Sequence, residues 1–187
     1  TILSNAALVV ADGAGVLWAG EQKGQHFPER VAGCDLSMAL LAEAAKRRTP
    51  VYCLGAAPGV AEQAIRNVEK KVGSLVVVGT HSGFFDDREE ARIIDTIAQS
   101  GAKLVLVALG VPKQEKWISQ KLAHLDGVVA IGIGGSFDVM AGVVKRAPLW
   151  MQRNRIEWLY RLAKQPQRIL RMLALPRFMR AVLTAKK

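Results

Sequence analysis

The sequence is poor in the residues that build metal centres, disulfide frameworks and membrane spans. It contains three histidines and two cysteines, Cys34 and Cys53, which lie far apart and match no zinc spacing. Two buried thiols in a reducing compartment are therefore the expected state of the cysteines. No uninterrupted apolar run reaches the ~18 residues that a spanning helix needs. The first apolar run, residues 6–10, is short and has no basic region before it, so no signal peptide is predicted.

Motifs of common nucleotide-binding proteins are also missing. The P-loop motif is absent, which counts against a nucleoside triphosphatase. In the stretch GIGGSF, Gly132 and Gly134 match the first two glycines of the dinucleotide fingerprint. Phe137 occupies the third position, and a basic segment follows where a ribose-binding acid would be needed. No Asp-x-Asp pair occurs, and Asp86, three residues before Glu89, fits a helix start better than a metal site.

Acidic residues are scarce in the last quarter of the chain. Residues 145–187 hold 12 Lys+Arg but one acid, Glu157, whereas residues 1–144 are nearly neutral. This asymmetry predicts a polyanionic partner, either a membrane surface or a nucleic acid. Because proline is tolerated mainly in a first helical turn, Pro166 and Pro176 predict two or three short helices after Pro148.

The helical spacing of this basic segment places charge on one side and apolar residues on the other. The basic set is Arg161, Lys164, Arg168 and Arg171, and the apolar set is Leu159, Leu162, Ile169, Leu170 and Leu173. A docking helix with a merely solvated charged face is the alternative, but one acid among 12 bases favours an interfacial membrane segment. Nucleic acid is disfavoured because the aromatic residues are few and are interleaved with leucine.

Five short apolar runs alternate with helical patterns. The runs are rich in Val, Leu and Ile without alternating polar residues, as in strands covered on both faces. Predicted strands cover residues 6–11, 51–55, 75–79, 103–109 and 128–133, and predicted helices cover residues 35–47, 59–72, 87–100 and 113–122. Asp35 is expected to cap the first of these helices. The alternation predicts an α/β fold: a Rossmann-like, doubly wound, mainly parallel sheet with a basic amphipathic C-terminal helical appendage.

Glycine occurs at every predicted strand end, where sheets of this kind bind ligands. The ends are Asp12-Gly13, Gly55-Ala56, Gly79-Thr80, Gly110-Val111-Pro112 and Gly134-Gly135. Glycine lets a backbone approach a ligand closely, although turns need glycine as well. A short helix near Phe137 follows the last pair, and its N–H groups and dipole predict a seat for an anion. Asp138 lies in this helix and is included among the ligand-binding residues.

Four polar residues are candidates for chemistry at this edge. Asp12 could act as a general base, and a turn aspartate bonded to its own backbone is the alternative. Arg30 could clamp a phosphate with two hydrogen bonds, or it could be an ordinary surface arginine. Gln114 would lie in the first helical turn after Pro112, with its amide near the ligand edge. His81, at the end of a strand, could face the ligand.

The chain contains seven motifs in the order in which one known family has them: ADGAGV, RVAGCDL, GAAPG, GTHSGFF, LGVPKQEKWI, GIGGSFDVMAG and RAPLWMQRNRIEWLYRLAKQPQRILR. Together they resemble the WecG/TagA/CpsF glycosyltransferases over nearly the whole chain. The resemblance implies an inverting hexosyltransferase that moves N-acetylmannosamine or its uronic acid from a UDP-sugar to a lipid-diphosphate-linked sugar. It implies teichoic acid or surface polysaccharide synthesis, a cytoplasmic protein peripheral on the inner face of the bacterial plasma membrane, and no cofactor.

The resemblance also implies roles for individual residues. Asp12 matches the family's proposed catalytic base, and Arg30 and Gln114 match residues near the donor's diphosphate and sugar. Three arginines match tail residues proposed to hold the lipid diphosphate: Arg161, Arg168 and Arg171. Family members carry further chain before the first motif, including an active-site threonine, so this chain is expected to lack that part. Residues 1–144 are then the expected catalytic domain, and residues 145–187 the expected membrane-contacting appendage.

Two functions of different classes are open at this point. The first is metal-independent sugar transfer, with a UDP-sugar donor, a polyprenyl-diphosphate-linked acceptor and an anionic membrane surface as partners. The second is a non-catalytic α/β binding module recruited to membrane or RNA by its basic tail. Asp12 favours the first, because a pure binder needs no acid at a phosphate-binding edge. Nucleic acid is not an expected partner, and a second subunit covering the apolar tail face leaves a homo-oligomer open.

Overall fold

A computed structural model describes residues 2–154, 156–164 and 174–184 of the chain. After a short 3-10 turn, Leu3–Asn5, the elements follow in the order α1 (Ala14–Gln22), α2 (Gly33–Arg47), β1 (Pro50–Gly55), α3 (Val60–Val72), β2 (Val76–His81), α4 (Asp87–Gln99), β3 (Leu104–Ala108), α5 (Lys113–Trp117), a π-helical turn (Ile118–Leu122), β4 (Val129–Gly132), α6 (Ser136–Met140), α7 (Leu149–Arg153), α8 (Glu157–Lys164) and α9 (Leu175–Thr184). The chain packs as two compact units, which are described in turn.

The first unit, Thr1–Ala7 with Gly33–Lys145, contains a four-stranded parallel sheet. The strand order is β2-β1-β3-β4, so the direction of winding reverses between β1 and β3. In sheets of this type the carboxyl ends of the two strands at that reversal flank a ligand-binding crevice. The parallel, Rossmann-like architecture predicted from the alternating runs is therefore confirmed, with β1 and β3 at its centre.

Side chains of successive residues in β1 point to opposite faces of the sheet, and each face has its own core. Val51 and Cys53 belong to the core formed with α2, α3 and α6. Tyr52 and Leu54 belong to the core formed with α4 and α5. Strands covered on both faces read as continuous apolar runs, which is why these central strands were recognisable in the sequence. Burial raises the pKa of the Cys53 thiol to about 12, so this thiol is unreactive at neutral pH.

The prediction of a fifth strand over residues 6–11 is wrong. These residues are coil that pairs with no strand, and Leu8 is 76% exposed. An apolar run becomes a strand only where a neighbouring strand accepts its backbone hydrogen bonds, and here none of the described strands does so. Asp12 therefore lies in a loop before α1 and not at a strand end.

Three smaller expectations need correction. Gly79 and Thr80 lie inside β2, which continues to His81 because these residues pair with β1. A side chain at Gly79 would collide with the ring of Tyr52, so this glycine serves packing. Helix α2 begins at Gly33, which places Asp35 in its first turn, where its charge suits the helix dipole, and not at the cap. Cys34 is half-buried, not buried, and neither cysteine forms a disulfide in the described part of the chain.

The start of α4 has the form that the sequence predicted. Asp86 Oδ1 accepts hydrogen bonds from the backbone N–H groups of Arg88, at 2.9 Å, and Glu89, at 2.8 Å. Glu89 Oε2 accepts in return from the N–H of Asp86 at 3.4 Å, which completes a capping box. Donors that a helix start would leave without partners are thus satisfied by side chains.

Asp86→Ala is expected to lower the free energy of unfolding by roughly 1 kcal/mol, since the cap is lost. For a chain of this length that corresponds to about 2–4 °C in Tm, measurable by circular dichroism. Asp87→Ala is the matched control, because Asp87 is an exposed first-turn acid that does not cap the helix. Equal losses from the two substitutions would show that the capping box adds nothing to the dipole interaction.

The second unit, Leu8–Ala32 with Arg146–Lys187, is helical in its described parts. The backbone N–H of Val31 donates to Ala11 O at 3.0 Å, which closes the segment around α1. Helix α9 contacts α1, where Gly15 faces the ring of Phe178. Pro176 lies in the first turn of α9, as predicted for a tolerated proline, whereas Pro166 lies outside the described residues. In the described parts of the chain, no helix is both long and apolar enough to span a bilayer.

Candidate functional site

The loops after β1 and β2 are joined to each other and to the last residue of β3 by backbone hydrogen bonds at the carboxyl edge of the sheet. Ala56 N–H donates to Ala108 O at 3.1 Å, and Gly83 N–H donates to Ala56 O at 2.8 Å. Gly55 has φ 122° and lies against the backbone of Ala108, where a β-carbon would collide. Only glycine suits both the conformation and the close approach. The predicted strand-end glycine at position 55 is thus required by the contact between β1 and β3 themselves.

Gln114 ties the loop after β3 to the loop after β4. Its side chain is buried, and its Oε1 accepts from the Gly134 N–H at 3.0 Å. Its own N–H donates to Gly110 O at 2.9 Å. Its amide lies against Gly132, where a β-carbon would be only 2.5 Å from Nε2. The structure therefore brings together three residues that the sequence predicted for the ligand edge: Gly110, Gln114 and Gly134.

The amide nitrogen of Gln114 also fixes a carboxylate. Nε2 donates to Glu115 Oε1 at 2.8 Å. The other oxygen, Oε2 of Glu115, is buried and finds no hydrogen-bond partner among the described residues. Such an oxygen is an acceptor that a ligand hydroxyl or a water would satisfy. A favourable interaction with the helix dipole does not by itself account for this burial.

The turn before α6 has the glycine conformation expected from the sequence. Gly134 has φ 53°, and Gly135 is the residue that precedes α6. Asp138 lies in the first turn of that helix, and a β-carbon at Gly135 would lie 3.4 Å from its Oδ2. Because α6 has only five residues, its dipole is small, and the charge of Asp138 opposes an anion there. The anion seat at Gly134 and Gly135 stays a prediction.

His81 ends β2, as predicted, and its ring is held on two sides. Its Nδ1 lies 2.9 Å from Ser82 O, and its ring makes an edge contact with Phe85 at a centroid distance of 5.9 Å. Since a carbonyl only accepts, Nδ1 carries the proton and Nε2 of the neutral ring is left as an acceptor. Lys113 Nζ lies 5.1 Å from the centre of the same Phe85 ring. This corner of the sheet edge thus offers one acceptor and one cation.

Arg30 bridges two carboxylates in the second unit. Its Nε donates to Asp12 Oδ1 at 3.1 Å, and its Nη2 donates to Glu157 Oε2 at 3.1 Å. Partial burial lowers the pKa of Arg30, but the hydrogen bonds and charges of the two carboxylates outweigh it and raise that pKa above its ordinary value. Arg30 is therefore a charged, ion-paired and partly buried side chain, and its role as a phosphate clamp stays a prediction.

Arg30 and its two carboxylate partners are called the Asp12–Arg30–Glu157 triad. Solvent exposure of the side chains rises from Glu157 through Arg30 to Asp12. The side chain of Glu157 is 6% exposed, that of Arg30 is 23% exposed and that of Asp12 is 48% exposed. The buried end of the triad is anchored on α8, and the exposed end is the residue predicted as a general base. A half-exposed carboxylate within reach of solvent and fixed by an arginine can accept a proton from a bound hydroxyl.

The sequence does not predict that Glu157 pairs with Arg30. Glu157 is the one acid of a strongly basic segment, and that isolation is the signal that the sequence offers. The roles of the tail arginines stay predictions: Arg161 lies on α8 with a side chain outside the described residues, and residues 168 and 171 are outside them altogether. In the described ranges, no group of three or more His, Cys, Asp or Glu side chains is arranged to hold a metal ion.

A doubly wound parallel sheet with glycine-bearing strand ends defines a Rossmann-like α/β protein, and the chain also holds an arginine-bound carboxylate. The chain belongs to the glycosyl transferase WecG/TagA/CpsF family, whose model matches residues 1–187. The resemblance seen in the seven motifs is thereby confirmed.

Two relatives carry the same name, N-acetylglucosaminyldiphosphoundecaprenol N-acetyl-beta-D-mannosaminyltransferase. The protein from Bacillus spizizenii (strain ATCC 23059 / NRRL B-14472 / W23) is 40% identical over 183 residues, covering 97% of this chain and 70% of the relative. The protein from Bacillus subtilis (strain 168) is 35% identical over 186 residues, covering 100% of this chain and 72% of the relative.

Proposed function

We propose that this chain moves N-acetylmannosamine, or its uronic acid, from a UDP-sugar to a polyprenyl-diphosphate-linked sugar in cell-surface polymer synthesis. Family membership supports sugar transfer, and the names of the two relatives support the aminosugar and the lipid-diphosphate acceptor. The observation that carries the proposal is the half-exposed carboxylate of Asp12, held by Arg30 in the triad. A carboxylate held in this way is the group that a hydroxyl nucleophile needs.

The chemistry is a single displacement with inversion at the sugar's anomeric carbon. The acceptor hydroxyl ionises only far above pH 7, so Asp12 takes its proton as the new C–O bond forms. The bond from the anomeric carbon to the diphosphate breaks at the same time, and UDP leaves with the electron pair. Cationic side chains and backbone N–H groups stabilise the charge that develops on the diphosphate.

The donor is proposed to bind at the carboxyl edge of the sheet. Gly110, Gly134 and Gly135 let backbone approach it closely, Gly55 shapes the end of β1 beside it, and His81 Nε2 can accept from one of its hydroxyls. Gln114 has a second amide hydrogen besides the one donated to Glu115, so it can position the loop and still donate to the sugar. Asp138 is proposed to contact a donor hydroxyl from α6.

Membrane association is proposed for the helices of the second unit. Apolar residues stand exposed on α7 and α8: Leu149, Trp150, Trp158 and Leu159. They belong to the segment that carries 12 Lys+Arg, so both apolar and electrostatic terms favour an anionic bilayer. A lipid-linked acceptor requires an enzyme that works at the bilayer surface, on the inner face of the plasma membrane. Arg161, Arg168 and Arg171 are proposed to hold the acceptor's diphosphate there.

The direct test is transfer from a panel of UDP-sugars to a synthetic lipid-diphosphate-linked N-acetylglucosamine. Product formed from UDP-N-acetylmannosamine or its uronic acid, with inverted anomeric configuration, is the expected result. Binding of UDP-sugar and of anionic vesicles without product from any donor would instead favour the non-catalytic binding module. Product with retained configuration would overturn the single-displacement chemistry.

Transfer is expected to survive EDTA. The sequence has no Asp-x-Asp pair, and the described side chains include no candidate ligand cluster, so protein groups must stabilise the diphosphate. Initial rates should agree within about twofold with EDTA, with Mg²⁺ and with no addition. An enzyme that depended on a bound metal would instead lose most of its rate in EDTA, because the metal supplies a dominant electrostatic contribution. Loss of activity in EDTA that Mg²⁺ or Mn²⁺ restores would contradict this expectation.

A further inference from the structure

We infer that Glu157 is a positioning residue for transfer, which holds Arg30 so that Arg30 in turn holds the carboxylate of Asp12. The inference rests on the proposed function, in which Asp12 takes the acceptor's proton. It assigns a role to the one acid of the basic segment, which the motifs and the charge count leave without one.

The geometry of the guanidinium makes Arg30 a rigid link. Nε and Nη2 belong to one planar group, so fixing the direction of one donor fixes that of the other. Glu157 fixes Nη2 at 3.1 Å, and Asp12 accepts from Nε at the same distance. Displacement of Glu157 therefore shifts the donor that orients Asp12, because Arg30 contacts both carboxylates.

Burial decides which of the two ion pairs is the anchor. The Glu157 side chain is 6% exposed, so water screens its attraction to Arg30 only weakly. The pair with Asp12 is half-exposed, and exposed ion pairs between long side chains hold their geometry poorly. Without Glu157, Arg30 would regain rotamer freedom and Asp12 would lose a fixed orientation.

The position of Glu157 on α8 links this anchor to the fold of the C-terminal helices. Glu157 lies in the first turn of α8, where a negative charge is stabilised by the helix dipole. The junction just before it is fixed by the Ile156 N–H, which donates to Met151 O at 2.9 Å, and Met151 is buried. The helical segment thus contributes a residue to the triad in addition to its exposed apolar and basic side chains.

Two substitutions of Glu157 test the inference in the full chain. Glu157→Ala removes the anchor, and kcat for transfer is expected to fall about 10²-fold, as for an ångström-scale misplacement of a reacting group. The KM for the UDP-sugar should change less than about threefold, because binding and proton removal are separate contributions. Glu157→Gln keeps an acceptor oxygen for Nη2 and therefore retains a neutral hydrogen bond. Its kcat should be roughly tenfold higher than that of Glu157→Ala.

Glu43→Gln is the matched control. Glu43 also pairs with an arginine, Arg47, but both side chains are exposed on α2 and neither belongs to the triad. This substitution should leave kcat and KM at the values of the unsubstituted protein. Because Glu157→Gln preserves size and shape, it keeps the test informative if Glu157→Ala fails to fold, as judged by circular dichroism.

A double substitution separates positioning from general support of the structure. If Glu157 acts through Asp12, Glu157→Gln should add little loss in kcat once Asp12→Asn is present, because coupled residues are non-additive. The positioning role would be overturned if the two losses in kcat multiply in the double variant. It would also be overturned if the Glu157→Gln variant has the same kcat as the Glu43→Gln control. A high kcat of Asp12→Asn alone would instead overturn the proposed function, so the two failures are distinguishable.

Discussion

Asp12→Asn is expected to lower transfer by about 10²-fold or more, the scale of a lost general base, while leaving UDP-sugar binding almost unchanged. Asparagine keeps the oxygen that accepts from Arg30 Nε, so the link through Arg30 to Glu157 should persist. The amide, however, cannot accept a proton from the acceptor hydroxyl at neutral pH. The defect should therefore lie in kcat and not in the KM of the donor.

The comparison for Asp12→Asn is Asp95→Asn, which removes a carboxylate from an exposed position on α4. Steady-state rates with saturating acceptor, with thermal unfolding measured in parallel, distinguish a catalytic from a structural effect. Turnover like that of the unsubstituted protein in Asp12→Asn would remove Asp12 from the mechanism. A matching fall in Asp95→Asn would show that the loss is not specific to the triad.

The central strands were predictable because a strand that is buried on both faces consists of consecutive apolar residues. β3, Leu104–Ala108, falls inside the predicted run 103–109, and all five of its residues are buried. The run 6–11 has the same apolar character and is exposed coil. Local sequence reports that a segment can be a strand, but whether it becomes one depends on a distant partner for its backbone hydrogen bonds.

In the candidate site, too, local features were predictable from the sequence and long-range contacts were not. Gln114 was predictable because its place, two residues after Pro112 at a strand end, follows from local rules for helix starts. Its contact with the Gly134 N–H was not predictable, since it spans 20 residues between two loops. The contact of Arg30 with Glu157 spans 127 residues, and no periodicity or spacing relates the two. Tertiary packing brings such residues together, and the local sequence around each residue does not reveal its partner.

Trp150→Ser combined with Trp158→Ser is expected to weaken binding to anionic phospholipid vesicles by about 10²-fold. Trp150 is 59% exposed and Trp158 is 47% exposed, so each has area that a bilayer interface can cover. Partial burial of each indole contributes roughly 1–1.5 kcal/mol, or about tenfold in the partition coefficient. Vesicle co-sedimentation across a range of lipid concentrations measures the change.

Phe84→Ser combined with Val111→Ser is the matched control for the two tryptophans. Both residues are exposed and apolar but belong to the first unit, which is nearly neutral. Point substitutions are suited to this question because deleting the chain after Ala147 would also remove Met151 and Glu157, which are buried. Vesicle binding of the control should equal that of the unsubstituted protein.

Salt dependence separates the two contributions to vesicle binding. Each basic residue near an anionic surface contributes about 1 kcal/mol at low ionic strength, and this attraction is screened as salt rises. Binding of both the unsubstituted protein and the tryptophan variant should therefore weaken with salt, with the variant weaker at every concentration. If the tryptophan variant and the control bind anionic vesicles to the same extent, the exposed indoles do not contact the bilayer. The apolar surface of α7 and α8 would then have another partner, for which a second copy of the chain is the first candidate to test by sedimentation equilibrium.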